Sequence, residues 1–77
     1  RLMTLAQLPV GQYGMVLSIT AEGPIRRRIL DLGLVPGTIV KTLRTSPAGD
    51  PAAYLIRGSV IAFRSKTAHQ ILIELQD

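Results

Sequence analysis

One stretch constrains the fold of this chain more than any other: Pro24-Ile-Arg-Arg-Arg-Ile-Leu-Asp-Leu-Gly-Leu-Val-Pro-Gly-Thr38. Proline suits a first helical turn, where its missing N–H has no intrahelical partner to lose. At 100° per residue Ile25, Ile29 and Leu32 fall on one stripe, the pattern of a short amphipathic helix laid on a core. Gly33 stands where a helix wants a left-handed terminal residue, and Leu34 can then fold back over the last turn. Pro36-Gly37 suits the centre of a type II turn, and a strand is expected from Thr38. Helix, turn and strand are thus predicted as one unit.

The rest of the chain must fold around that unit within 77 residues, which makes one domain near the lower size for a self-sufficient core. Hydrophobic residues at 47% against 18% charged argue for a folded globule and against disorder. The apolar residues are spread along the chain, so 1–77 is read as a single domain with no linker. Met3 reads as the natural start, with Arg1-Leu2 an addition ahead of it. No apolar run reaches membrane-spanning length, and no leader pattern precedes the domain. Cysteine is absent, which excludes disulfides and thiolate metal sites. A cytoplasmic protein is expected. The net charge of +4 favours acidic partners, although a surplus of that size is also ordinary for solubility.

Along the chain, Leu5 and Leu8 are expected to tuck against the body, and Gly11 to Gly14 to turn. Met15/Leu17/Ile19 alternate against Val16/Ser18/Thr20 as a first strand, and Thr38 to Thr45 forms the second. Ser46 to Pro51 is dense in turn formers. Ala53–Arg57 and Val60–Arg64 flank Gly58-Ser59 as a hairpin, pairing Tyr54 with Phe63 and Ile56 with Ile61 on a core face. Leu55, Arg57, Val60 and Ala62 then face outward. Ser65 is placed as the N-cap of a helical turn over 66–70, and Ile71 to Leu75 closes as the last strand. The fold class is mainly β: a small, strongly bent antiparallel barrel of about five strands. One short helix follows the first strand and a helical turn precedes the last.

The run Arg26-Arg27-Arg28-Ile29-Leu30-Asp31-Leu32-Gly33-Leu34-Val35-Pro36-Gly37-Thr38 resembles the central motif of the FeoA family, small accessories of bacterial ferrous iron transport. Pro47 to Pro51, Arg57-Gly58, Ile61 to Arg64 and Ala68 to Ile71 follow in that family's order and spacing, so the resemblance covers nearly the whole chain. It implies an SH3-like barrel in the cytoplasm that works with the FeoB membrane transporter at the inner face of the membrane. The same module occurs at the C-terminus of DtxR-type metal-dependent repressors. Leu55 and Val60 depart from the resemblance, being apolar where polar residues would be expected, and this marks a contact surface peculiar to the chain.

No catalytic constellation is visible. His69 is the only histidine, the carboxylates are scattered, and each serine sits in a strand or turn that accounts for it. A non-enzyme is expected. No firm cofactor or metal site is read either: His69 with Glu74 is a weak candidate pair that cannot fill a coordination sphere alone. Two copies could share a site, and the resemblance leaves weak Fe(II) or Zn binding open. Arg26, Arg27 and Arg28 spread over about 200° of the helix, with Arg27 and Arg28 within reach of Asp31 as weak surface pairs. Leu30 lies about 140° from Ile25, off the core stripe and between Arg26 and Arg27. A leucine so flanked suits protein docking.

The partner-binding residues are therefore read as Leu30, Arg26 and Arg27, with Leu55 and Val60 on the outer hairpin face. The expected partner is the cytosolic part of a FeoB-type transporter, with self-association also open. A detached repressor-type regulatory module, or a basic barrel on nucleic acid, is the alternative. Stacking aromatics for nucleic acid are few (Tyr13, Tyr54, Phe63), which counts against the latter.

Overall fold

The computed structural model describes residues 1–77. Strand β1 (Leu2–Thr4) leads into a 3-10 turn (Leu5–Gln7), β2 (Tyr13–Ile19) and helix α1 (Gly23–Asp31). Strands β3 (Ile39–Thr45), β4 (Ala52–Ile56) and β5 (Ser59–Phe63), helical turn α2 (Ser65–Ala68) and β6 (Ile71–Gln76) follow. The strands form one antiparallel sheet in the order β1-β6-β2-β3-β4-β5. There are six strands where about five were expected. The extra one is β1, three residues that pair only with β6 and are too short to leave an alternating pattern.

The helix-to-strand unit forms as its local chemistry predicts. Gly33 sits at φ +100 with its N–H on Leu30 O at 2.9 Å, and the Leu34 N–H reaches Ile29 O at 3.3 Å. Those two bonds are the Schellman pattern that closes a helix, and Leu34 is fully buried behind it. The Thr38 N–H bonds Val35 O at 3.0 Å around Pro36-Gly37, with Gly37 at φ +95, as a type II turn requires. The Thr38 hydroxyl then donates to Gly33 O at 3.0 Å and accepts from the Val35 N–H at 3.2 Å, locking the turn onto the helix end.

Two bulges bend the sheet. One lies between Val16 and Ser18 on β2, the other between Thr42 and Arg44 on β3. Each inserts a residue and sharpens the local twist, so β2 buries Gly14, Val16 and then Ile19 rather than a strict alternation. The expected grouping of Met15 and Leu17 with Ile19 on one face fails for that reason. Strand β2 also starts at Tyr13, so the turn read over Gly11 to Gly14 ends earlier.

The hairpin register differs from the count. Ile56 pairs with Ser59, Leu55 with Val60, Tyr54 with Ile61 and Ala52 with Phe63, so Arg57-Gly58, at φ +50 and +81, is the turn. Two positive φ values define the type I′ turn whose twist suits a tight hairpin. The shift moves each pairing by two residues, an even number, so the faces are unchanged. Tyr54, Ile56 and Phe63 are buried, and the Tyr54 and Phe63 rings lie 6.0 Å apart at 44°.

Helix α1 is rotated from its expected pose. Ile29 is fully buried, Leu32 is half-buried, and Ile25 is 44% exposed. Leu30 is half-buried and packs against the core. The helix thus rests on its 29–30 side rather than on its 25–29 side. Leu5 and Leu8, with Val16, Ile71 and Ile73, complete the core beneath it.

Candidate functional site

The residues read as a docking set fall on two elements, α1 and the β4–β5 hairpin. On α1, Arg27 is exposed, whereas the Arg26 guanidinium is spent on the fold: its Nη1 donates to Ile19 O at 2.8 Å, tying the helix to the end of β2. Leu30 offers only part of its side chain to solvent, because its other side lies on the core. Neither Arg27 nor Arg28 pairs with Asp31, since the only ion pair in the chain joins the first amino group to Glu74 at 3.6 Å. On the hairpin, Leu55 and Val60 are direct cross-strand neighbours, half-buried and 58% exposed respectively. They form one small apolar patch, brought together by the true register rather than by the expected one.

His69 and Glu74 do not converge on a metal centre. His69 caps the C-terminal end of α2 with its Nδ1 3.4 Å from the Thr4 hydroxyl, while Glu74 lies on β6 opposite Leu2 and Met15. No three His, Cys, Asp or Glu side chains gather anywhere in the chain. The exposed Tyr13 ring is covered on one side by the Lys41 ammonium, 5.2 Å from its centroid.

The loop from Ser46 to Pro51 carries a connection that sequence reasoning missed. Ser65 is not an N-cap but the first residue of α2, and its N–H donates to Asp50 Oδ1 at 2.8 Å. A carboxylate fifteen positions away thus satisfies the helix terminus, and no local spacing could have revealed it. Beneath that cap lies a cavity of about 50 Å³ lined by Leu8, Thr42, Asp50, Tyr54 and Phe63 among others. Small-molecule pockets run from about 300 Å³ upward, so this space fits solvent and no organic ligand.

Burial pushes the Tyr54 hydroxyl above its ordinary 10.0, and the Asp50 carboxylate adds to the shift. An unfolded tyrosine loses its proton near 10 while the buried one keeps it, so the folded state binds more protons above that pH. Stability is therefore untouched below about pH 10 and falls as pH rises from there toward the folded value. Tyr54→Phe is expected to remove this loss. Urea unfolding at about pH 8 and about pH 11 checks it: wild type should weaken more than the variant, and parallel declines would contradict the shift.

The family model described as the FeoA domain matches residues 3–75. A Porphyromonas gingivalis protein named Fe(2+) transport protein A/Fe(2+) transporter FeoB fusion protein is 30% identical over 73 residues, 95% of this chain. Those residues are 9% of that protein, so the chain spans less than a tenth of the curated relative it matches. The solution structure of FeoA from Chlorobium tepidum superposes at a TM-score of 0.91 with 37% identity, over 97% of this chain and 71% of its own. Stenotrophomonas maltophilia FeoA, solved with zinc and described as a procaryotic SH3 domain protein, gives 0.84 at 29% identity, over 94% and 89%. A manganese-dependent transcriptional repressor at 17% identity and a TM-score of 0.86, over 97% of this chain and 42% of its own, shares the fold alone. With the match running from residue 3 to residue 75 and the SH3-like sheet in common, the chain belongs to the FeoA family, which is associated with Fe(2+) transport.

Proposed function

We propose that this chain is a cytosolic accessory of bacterial ferrous iron uptake that docks on the cytosolic part of a FeoB-type transporter and acts by contact rather than by chemistry of its own. The observation that carries this reading is the fusion relative, in which a stretch similar to this chain is joined to a transporter in one polypeptide. Covalent linkage holds two modules at an effective concentration of about millimolar, which favours a modest contact between them. No helix of this chain is long and apolar enough to cross a membrane, which fits attachment through a partner. The net charge of +4 favours an acidic face on that partner.

The contact is assigned to Arg27 with the solvent side of Leu30, and to the Leu55/Val60 patch. Leu30→Gln is a poor probe, because part of that side chain packs on the core. Arg27→Glu and Val60→Lys change exposed positions and leave the core intact. Each is expected to weaken binding to the transporter's cytosolic portion by roughly tenfold, with Arg27→Glu losing most of its effect at high salt. Calorimetric titration checks this, and wild-type affinity in both variants would remove the assignment.

A further inference from the structure

A groove of about 250 Å³ runs between α1 and the end of the sheet. Ile25, Arg28 and Ile29 line its helix side, and Ala62 and Phe63 line its strand side, with Arg64 at the end of β5. Its only charged side chains are two exposed guanidiniums, Arg28 and Arg64, and no carboxylate lines it. Neither arginine side chain bonds within the chain, in contrast to Arg26. Ile25, 44% exposed, gives the groove an apolar wall open to solvent.

The strand side is also an open edge. Strand β5 ends the sheet order and has β4 as its one neighbour. A type I′ turn makes the closing pair Ile56 and Ser59 hydrogen-bonded, and the alternation extends this to Tyr54 with Ile61 and Ala52 with Phe63. Val60 and Ala62 occupy the other pairs, so their N–H and C=O groups point away from β4. None of these four groups enters the turn, loop or cap hydrogen bonds. Edge strands are usually blunted by lysine, proline or a bulge, yet Ser59-Val-Ile-Ala-Phe63 has none.

We infer that this edge and groove bind an extended polypeptide segment in which aliphatic residues alternate with carboxylates. The segment adds as a seventh strand, pairing its backbone with Val60 and Ala62, as in other strand-addition complexes. Its aliphatic side chains lie on Ile25 and its carboxylates meet Arg28 and Arg64. Charge decides against a second copy as occupant: pairing β5 with its own equivalent would bring two sets of Arg28 and Arg64 together without any acidic group between them. The surface is distinct from the Arg27/Leu30 face, which lies about 140–200° round the helix from Ile25, and it meets the Leu55/Val60 patch only at Val60, whose backbone it uses and whose side chain it does not.

Selection of a displayed library of short random peptides on the protein, with counter-selection on Arg28→Glu/Arg64→Glu, tests this. Enriched sequences should alternate Val, Ile or Leu with Asp or Glu, and the double variant should bind them at least about tenfold more weakly. Addition of the best peptide should slow amide exchange at Val60 and Ala62, and methylating its backbone nitrogens should abolish binding. Retained NMR dispersion in the double variant, and a smaller loss in Arg28→Gln/Arg64→Gln, exclude misfolding as the cause. Four outcomes would overturn the inference: no sequence enriched above the double variant, a basic or carboxylate-free consensus, unchanged exchange at Val60 and Ala62, or a concentration-dependent dimer through β5.

Discussion

Replacing Ile29 by alanine is expected to cost about 2–4 kcal/mol of folding stability, within the range for truncating a buried isoleucine. Ile29 is the one fully buried residue of α1, so the helix has no second anchor of equal depth. Alanine raises intrinsic helix propensity, but by well under about 1 kcal/mol, which cannot offset the lost packing. For a domain of this size the change should lower the melting temperature by on the order of 15 °C. Ile25→Ala, four residues earlier on the same stripe, should cost less than about 1 kcal/mol, because that side chain is already largely in water. Thermal unfolding of the two variants side by side is decisive. Equal losses would mean that α1 is seated on its 25–29 side after all.

That contrast shows which parts of the architecture were legible in the residues. The existence of α1, its stop at Gly33 and the type II turn at Pro36-Gly37 could be read because each depends on a few adjacent residues. The rotation of the helix could not. A nine-residue helix with four apolar side chains offers two nearly equivalent stripes, and only the sheet decides which is covered. The hairpin shows the same limit: a turn preference for glycine and serine placed it at Gly58-Ser59, whereas the sheet holds Arg57 at φ +50. The core face survived that error because strand faces repeat every two residues. The two bulges and the Asp50 cap of α2 left no local trace at all. Of the candidate docking residues, Arg27 and Val60 stand exposed as read. Arg26 and Leu30 do not stand free, since both are engaged by the approach of α1 to β2 and the core, a tertiary fact that a helical wheel omits.

Gly14, at the end of an expected turn, is a buried strand residue, paired with Val40 on β3 and Leu75 on β6. Its φ is not positive, so conformational freedom is not what glycine supplies here. Space is: a Cβ at this position would stand 2.7 Å from Ile73 Cδ1 and 3.4 Å from Leu8 Cδ2. Ile73 is fully buried and Leu8 nearly so, which leaves the clashing methyl little room to swing aside. Gly14→Ala is expected to destabilise by about 1 kcal/mol and Gly14→Val by about 2–3 kcal/mol, the upper range for overpacking a core. The cause can be isolated, because valine at position 73 lacks the one atom that obstructs the Cβ. Ile73→Val alone should cost about 0.5–1.5 kcal/mol, and Gly14→Ala/Ile73→Val should cost clearly less than the sum of the single changes. A coupling of about 1 kcal/mol in that cycle would locate the strain in the Gly14–Ile73 contact. Additive losses would place it elsewhere, in the backbone pairing of β2 between its two neighbours.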